Sequence, residues 1–313
     1  MMRKSPAERH GLMPFFFRFV NILFCTLCFA FNLPAENAVG PDFLFVQPHA
    51  RTAAMNNSFT GVADDANAVI FNPAGLATLE KNSVSLTHYS SFADTNYENI
   101  MFACPQKDWG FGGRVLADYT SNFSEISLTG EDKGQVANYD LLFAGSFGIA
   151  IMPGFSAGTT AKYFTSTLLN YTKSGYALDM GVLFGVSQEV KLGFTLENLG
   201  SQGAYEQVAD ALPLKLTAGV GYKHKITDVI RLTAAMDFSR VMINKYQPDI
   251  TAGAELSFYE RLFVSGGFGI KQDGDNFTLG GGIMPFDFAR LYYAYQPFEN
   301  LGATHRMSLD IIF

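Results

Sequence analysis

Hydrophobic and polar residues alternate along most of the chain after about residue 83, and this alternation predicts β-strands. The segment VKLGFTLEN (190–198), for example, places Val, Leu, Phe and Leu on one face and Lys, Gly, Thr and Glu on the other. Successive side chains of a strand point to opposite faces, so a two-residue period indicates a strand. Such runs occur at 83–91, 96–104, 109–120, 137–150, 155–168, 175–187, 190–198, 212–224, 228–239, 249–258, 262–271, 276–284, 289–297 and 304–313.

The lengths of these runs and of their connections favour a membrane barrel. Most runs have about ten residues, which suits membrane-spanning strands better than the shorter strands of soluble sandwiches. Short connections (PQKD, MPGF, QE, KIT, YER, PFDF) alternate with longer ones such as SNFSEISLTGEDKGQV and GSQGAYEQVADA, although FADT and DGDN break the rule. Outer-membrane barrels have short periplasmic turns and longer extracellular loops. The sequence therefore predicts an all-β fold, a transmembrane antiparallel β-barrel of about 14 strands.

Charge and cysteine content exclude other classes. The net charge is −7 and there is no run of Lys and Arg, which argues against nucleic acid as a partner. Of the three cysteines, only Cys104 lies beyond the N-terminal region, so we expect no intrachain disulfide framework.

The first 38 residues are predicted to be an export signal. Basic residues precede the apolar run FVNILFCTLCFAFNLPA, and small residues follow it. We expect cleavage between Ala30 and Ala38, Met13 is an alternative start to Met1, and a retained N-terminal anchor is the alternative to cleavage. The remaining chain has no other apolar run of about 20 residues, so no spanning helix is expected. The predicted location is the outer membrane of a Gram-negative-type envelope.

The last predicted strand, HRMSLDIIF, alternates and ends at an aromatic residue. It resembles the signal that the barrel-assembly machinery recognises, so Phe313 is predicted to be an assembly signal. An ordinary terminal strand is the alternative.

Residues 39–82 separate the predicted signal from the barrel (83–313), and they show weak periodicity with one or two helical turns. A barrel of about 14 strands encloses enough space to hold such a segment. We therefore predict a plug, or hatch, on the periplasmic side. Its corner is Asn72-Pro73-Ala74-Gly75: Pro73 fixes its own φ, Asn72 bonds its local backbone, and Gly75 permits a tight bend or close approach.

The block ARTAAMNNSFTGVADDANAVIFNPAGLATL, within residues 50–79, resembles the N-terminal signature of the PorV/PorQ family in the wider FadL superfamily of long-chain fatty acid transporters. The matching positions are Ala54-Met55, Phe59, the ADDANA run (63–68) and the NPAGL run (72–76). Asn56-Asn57 stand where small residues are more usual. The final LGATHRMSLDIIF also resembles the closing strand of the family, while the middle of the chain matches only as barrel strands.

This resemblance implies a fourteen-stranded barrel with an N-terminal hatch, an apolar pocket above it, and a lateral exit at a kink in the third strand. Gly110, Gly112 and Gly113 lie in the third run, where an interior glycine marks a kink, a bulge or a close approach. Glycine is common throughout this chain, so ordinary barrel glycines are the alternative that the sequence favours.

Two functions agree with these features. The first is transport of long-chain fatty acids or other hydrophobic compounds through a hatch-gated lumen, with no chemistry. The second is a PorV-like scaffold or shuttle that binds a secretion partner through the loops 121–136 and 199–211. An enzyme is not expected, because the histidines are scattered and no catalytic or metal-ligating spacing occurs. We predict no cofactor, and as partners a hydrophobic ligand, outer-membrane lipids and the barrel-assembly machinery.

Overall fold

A computed structural model describes residues 42–92, 94–126, 132–168, 171–203, 212–242, 247–271, 276–298 and 302–313. The predicted export signal and its cleavage region lie outside the described residues. The predicted domain boundaries therefore stay predictions, although the strands begin at Ser83.

Fourteen strands form the wall of the molecule. They are β1 Ser83–Ser90, β2 Thr95–Pro105, β3 Trp109–Ile126, β4 Asp132–Met152, β5 Phe155–Leu168, β6 Tyr171–Gly185, β7 Val190–Gln202, β8 Lys215–Lys225, β9 Ile230–Val241, β10 Asp249–Phe258, β11 Leu262–Ile270, β12 Asn276–Phe286, β13 Ala289–Phe298 and β14 Gly302–Ile312. Each strand pairs antiparallel with its sequence neighbours, and β1 pairs with β14 from Ser83↔Ile312 to Ser90↔His305. The predicted closed fourteen-stranded barrel is confirmed.

The connections differ from the prediction at one end of the barrel. The turns after β2, β4, β6, β8, β10 and β12 contain two to four residues, as predicted for the short connections. The predicted loop 121–136 is largely strand, because β3 continues to Ile126 and β4 begins at Asp132. The stretch LNYTKSG, between the predicted runs 155–168 and 175–187, is likewise mostly strand, since β5 ends at Leu168 and β6 begins at Tyr171. Backbone pairing needs no apolar alternation, so polar residues extend these hairpins where the sequence pattern indicates loops.

The two faces of the wall have opposite character. Large apolar side chains point outward, among them Ile100 at 51% exposed and Met236 at 51%. Polar side chains such as Thr87, Asp118 and Glu255 point inward and are buried. This is the arrangement of a membrane barrel with a polar interior. The aromatic side chain of Tyr89 also points inward: it is 7% exposed and stacks on Tyr97.

The segment before β1, which we call the hatch (residues 42–82), packs inside the barrel. It contains a 3₁₀ turn at Asp42–Phe45, helix α1 at Ala50–Ala54, helix α2 at Ala68–Phe71 and a 3₁₀ helix at Pro73–Thr78. None of the helices in the described part of the chain is long and apolar enough to cross a membrane. Most wall contacts of the hatch lie near the short turns, so the hatch occupies the end of the barrel predicted to be periplasmic, while Asn56 reaches Asn276 farther up the wall.

Candidate functional site: the hatch and the lumen above it

The predicted corner of the hatch is a hydrogen-bonded cap that docks on the wall. Asn72 is extended (φ −165°, ψ 100°), and its Oδ1 accepts a hydrogen bond from the Ala74 N–H at 3.2 Å. Its Nδ2 donates to the carbonyl oxygens of Thr60, at 3.1 Å, and of Val182 on β6, at 3.0 Å. Pro73 then starts the 3₁₀ helix, where its missing N–H costs nothing. One side chain therefore closes the turn, ties two hatch segments together and attaches them to the wall.

Gly75 is a close-approach position inside the hatch. A Cβ placed on it would overlap the carbonyl oxygen of Ala63 and would lie 2.7 Å from the Ala63 Cβ. The predicted need for glycine therefore has a structural reason here. Whether residues 72–75 act as a gate stays a prediction.

A belt of glycines on the inner wall receives the hatch. At each of these positions a Cβ would press on hatch atoms, several of them backbone atoms. The glycine belt consists of Gly110, Gly112, Gly148, Gly158, Gly181, Gly193, Gly219, Gly221, Gly253, Gly267, Gly269 and Gly280. β9 has no glycine in this ring and instead presents Ala235, which is 7% exposed and packs against the hatch cluster of Met55, Phe59 and Val62. The wall thus lacks side chains where the hatch backbone needs the space.

We expect alanine to destabilise the protein at a position of the glycine belt and not at a wall glycine outside the belt. Gly193→Ala would push a Cβ into the Thr60 carbonyl group, and such overpacking costs about 1–3 kcal/mol. Gly145→Ala is the matched control, because nothing lies within 4 Å of its Cβ position. In that strand Ala is better than Gly by about 0.5–1 kcal/mol. Thermal unfolding followed by electrophoretic mobility should show Gly193→Ala destabilised and Gly145→Ala unchanged or stabilised; equal shifts would contradict the close approach.

Two of the three glycines of the predicted lateral gate belong to the glycine belt. Gly110 faces the Leu76 carbonyl group and Gly112 lies against Val69, so both receive the hatch. Gly113 points outward, where Phe102 covers it. β3 pairs with β2 and with β4 without a register shift from Gly110 to Thr120. The ladder is closed at these glycines in this structure, and their role in a lateral exit stays a prediction.

Arg51 is the centre of an ion-pair network that joins the hatch to the wall. Its Nε and Nη2 donate to Glu255 of β10, and Nη1 donates to Asp64 and Asp65 of the hatch at 2.6 Å each. Asp64 also pairs with Lys223 of β8 at 2.7 Å. Arg51 is 4% exposed, and its five N–H groups all face carboxylates. The ADD run of the predicted signature therefore binds an arginine here.

Burial and charge act in opposite directions on this network. Burial alone would lower the pKa of Arg51, but the carboxylates of Asp64 and Glu255 raise that pKa well above its ordinary value. Burial likewise opposes ionisation of Asp64, but Arg51 and Lys223 hold the pKa of that carboxyl well below its usual range. Arg51 and Asp64 therefore both stay ionised through mild acidification.

Two further polar contacts fix the hatch on other strands. The Asp237 carboxylate on β9 accepts the backbone N–H groups of Phe59 and Thr60, at 3.0 Å each. His49 caps α1 by accepting from the Arg51 N–H, so its Nε2 donates to Asp310 on β14 at 3.0 Å. The sequence does not reveal these partners, because each pair joins residues more than 170 positions apart.

An apolar layer lies on the inner wall above the hatch, on one side of an otherwise polar lumen. It comprises Leu116, Leu142, Phe164 and Ala177 of the wall, together with Leu212 from the connection before β8. The start of the hatch fills it: Phe43 and Leu44 are buried there, and the Phe43 and Phe164 rings meet edge to face at 5.6 Å. The Val46 carbonyl oxygen just beyond accepts a hydrogen bond from Arg114 at 2.9 Å. The chain thus covers its own apolar surface.

The opposite side of the lumen is polar and open. A cavity of about 510 Å³ lies between the hatch and strands β7 to β11. Glu197, Lys215, Asp237, Asn57 and Thr60 are among its lining residues. A larger groove of about 930 Å³ lies over the barrel wall with outward residues such as Leu86, Ile100 and Leu291, so it is largely a groove of the outer surface.

The described residues contain no group of three or more His, Cys, Asp or Glu side chains placed to hold a metal ion. Much of the predicted partner loops, including 127–131 and 204–211, lies outside the described residues. Phe313 is 67% exposed at the rim, and its N–H bonds the Asn82 carbonyl group at 2.9 Å; its role in assembly stays a prediction.

Sequence comparison relates the N-terminal part of the chain to one family. The model of the Uncharacterised protein family (UPF0164) matches residues 39–165. Two UPF0164 proteins of Treponema pallidum (strain Nichols) are 32% and 25% identical over 34% and 32% of this chain. The chain spans only 30% and 25% of the length of these relatives. The finer resemblance to the PorV/PorQ family stays a prediction.

Structural comparison relates the whole barrel to FadL-type proteins. The toluene transporter TodX of Pseudomonas putida matches with a TM-score of 0.59 at 11% identity, over 90% of this chain and 98% of TodX. The toluene transporter TbuX of Ralstonia pickettii gives 0.57 at 13%, over 84% and 97%. A FadL homologue of Pseudomonas aeruginosa gives 0.58 at 11%, over 89% and 99%. At these identities the likeness establishes a shared fold.

Proposed function

We propose that this protein is an outer-membrane channel that carries hydrophobic small molecules through a hatch-gated lumen. The observation that carries the proposal is the apolar layer above the hatch, which the chain covers with Phe43 and Leu44. The lipid-facing side of the wall is formed by outward side chains and does not require an apolar surface inside the barrel. A ligand that displaces Phe43 and Leu44 would bury the same surface, so the two can exchange at little net cost.

The surroundings of the apolar layer support the same function. The hatch blocks the lumen at the short-turn end, so passage requires that part of it moves or that a wall opening forms. Three FadL-type proteins of the same fold include two described as toluene transporters. Neutral aromatics and long-chain fatty acids are therefore the first compounds to test.

Uptake of an apolar compound tests this proposal. Cells that lack their own transporter would express the chain, and entry of radiolabelled toluene or oleate would be compared with entry of glucose. We expect Leu142→Asn and Phe164→Asn to lower uptake about tenfold, because each places a polar group in the apolar layer. Leu199→Asn is the control, since Leu199 points outward and is 47% exposed.

Glucose entry should stay unchanged in every variant with an intact hatch. Uptake of toluene, oleate and decylamine all at the level of the empty vector would overturn the transport proposal. Co-purification of a secreted protein in that case would favour the scaffold function instead.

A further inference from the structure

Two carboxylates face each other at the upper edge of the apolar layer. Asp118 on β3 and Asp140 on β4 are direct cross-strand partners, and both point into the lumen. They stand two positions above Leu116 and Leu142 along the same strands. A ligand in the apolar layer would therefore end next to this pair.

The pair is buried without full compensation. Asp118 is 3% exposed and Asp140 is 7% exposed. The Oδ1 atom of each side chain is buried and has no hydrogen-bond partner among the described residues. Asp140 accepts a hydrogen bond from Ser166 and a weak one from Asn138 at 3.5 Å. Asp118 accepts no hydrogen bond from any group in the described ranges of the chain. Burying carboxylate oxygens unpaired is costly, so the arrangement indicates a partner that the protein alone does not supply.

The fixed cations nearby do not balance the two charges. Lys173 on β6 lies in the same cross-strand row, beyond Ser166, and faces Asp140. Arg306 is engaged elsewhere, since it donates to Gln296 at 3.0 Å. Among the side chains that the structure describes, one positive charge thus faces two carboxyl groups. The shortfall is one cation, on the side of Asp118.

On that side the row continues with two stacked aromatic rings. Tyr97 is the cross-strand partner of Asp118, and Tyr89 is the partner of Tyr97. Their centroids are 5.1 Å apart, and the Arg306 guanidinium lies 4.2 Å from the Tyr89 centroid. The Tyr89 ring of this stack thus already contacts a cation, Arg306. Aromatic faces beside carboxylates are the setting in which proteins bind organic ammonium groups.

We propose that Asp118, Asp140 and Tyr97 form a binding site for the cationic head of an apolar ligand, an amine or an ammonium compound. This inference rests on the proposed transport function and specifies its substrate class. The tail lies in the apolar layer in place of Phe43 and Leu44, and the ammonium group binds between the carboxylates and the Tyr97 ring. A free carboxylate at the same place meets two negative charges and is disfavoured.

Binding of three probes with one tail and different heads tests the site. The full chain in nanodiscs of a neutral lipid would be titrated at neutral pH with decylamine, decanol and decanoate, with empty nanodiscs as the reference. We expect decylamine to bind about tenfold more tightly than decanol, and decanoate to bind most weakly. Asp118→Asn or Asp140→Asn should remove the preference for the amine and leave decanol binding unchanged.

Matched variants separate the site from general charge and folding effects. Asp228→Asn removes the same charge from an exposed turn and should change nothing. Tyr97→Phe keeps the ring and should keep the preference, whereas Tyr97→Leu should lower the amine-to-decanol ratio. This pair preserves the test if the aspartate variants fail to fold.

Three results would overturn the inference, in distinguishable ways. Equal affinity for decylamine and decanol would overturn the proposal that the ligand has a cationic head, and it would leave the transport proposal unaffected. Failure of all three probes to bind would overturn the transport proposal as well. Binding of calcium that is lost in Asp118→Asn, without a preference for decylamine, would assign the pair to a free metal ion and not to a ligand head.

Discussion

With Ser58 and Thr251 both replaced by cysteine, we expect uptake of the apolar compound to stop on oxidation and to return on reduction. Ser58 belongs to the hatch and Thr251 to β10, and their hydroxyl oxygens are 2.9 Å apart. Both side chains are buried, so cysteines at these positions would face each other away from solvent. A disulfide there would hold the hatch on the wall in its closed position. If passage requires this part of the hatch to move, the effect is all or none.

The same experiment has a control within the wall. Ser146 and Thr160 are cross-strand partners on β4 and β5, with their hydroxyl oxygens 2.8 Å apart. A disulfide between cysteines at these positions joins two strands and leaves the hatch free, so uptake should continue. Cys104 would be changed to serine in both proteins, because it is the free thiol of the described chain. Transport that continues through the oxidised Ser58/Thr251 variant would contradict a gating hatch.

The alternation of side chains predicted the wall of this barrel well. A two-residue period is a local property, and the membrane imposes it on every strand, so strand number and the facing of residues 190–198 or 249–258 could be predicted from sequence. The extension of β3 and β4 toward residues 126 and 132 could not. There the strand pairing continues through residues whose sequence shows no apolar alternation.

The hatch could be located from sequence, but its attachment could not. The NPAGL corner signalled a turn at Asn72–Gly75, and the structure has a cap there. The partners of Arg51 and Asp237 depend on barrel register, since they join residues about 180 to 200 positions apart. The glycine belt shows the same limit. Sequence identified Gly110 and Gly112 as special, and only the fold reveals that they share their task with glycines on most other strands.

The Asp118–Asp140 pair illustrates why register matters for function. In the sequence Asp118 lies in one predicted strand and Asp140 in the next, separated by a long polar stretch. Nothing local indicates that they meet. Once the β3–β4 register is fixed, two carboxyl groups stand opposite each other above the apolar layer, and a ligand preference can be inferred.

Replacing Arg51 by methionine should release the hatch and make the barrel conduct ions. The change leaves the buried Glu255 and the partly buried Asp64 and Asp65 with Lys223 as the remaining cation of the network. Removing one partner of a buried ion pair costs about 3–5 kcal/mol, because the remaining charge loses its compensation. That cost is comparable to the free energy that holds a small element in place. Planar-bilayer recordings should show brief openings in the variant that are rare in the parent protein.

Two comparisons show whether the buried charge is the cause. Arg261→Met removes an arginine from an exposed pair with Asp287 at the barrel rim, and it should leave conductance unchanged. Arg51→Met combined with Glu255→Met removes both charges of the hatch–wall pair, so it should conduct less than Arg51→Met alone. If the double variant conducts as much as the single one, lost packing and not unpaired charge explains the release.

The acid response of the parent protein follows from the same network. Because the pKa of Asp64 is depressed in the folded state, its stabilisation is present above the ordinary aspartate pKa and is lost only as pH falls toward the depressed value. Mild acidification should therefore leave the parent barrel silent in the same recordings. Openings should begin only below the normal titration range of aspartate, about pH 4. Openings of the parent at mildly acidic pH would show that a group other than Asp64 controls them.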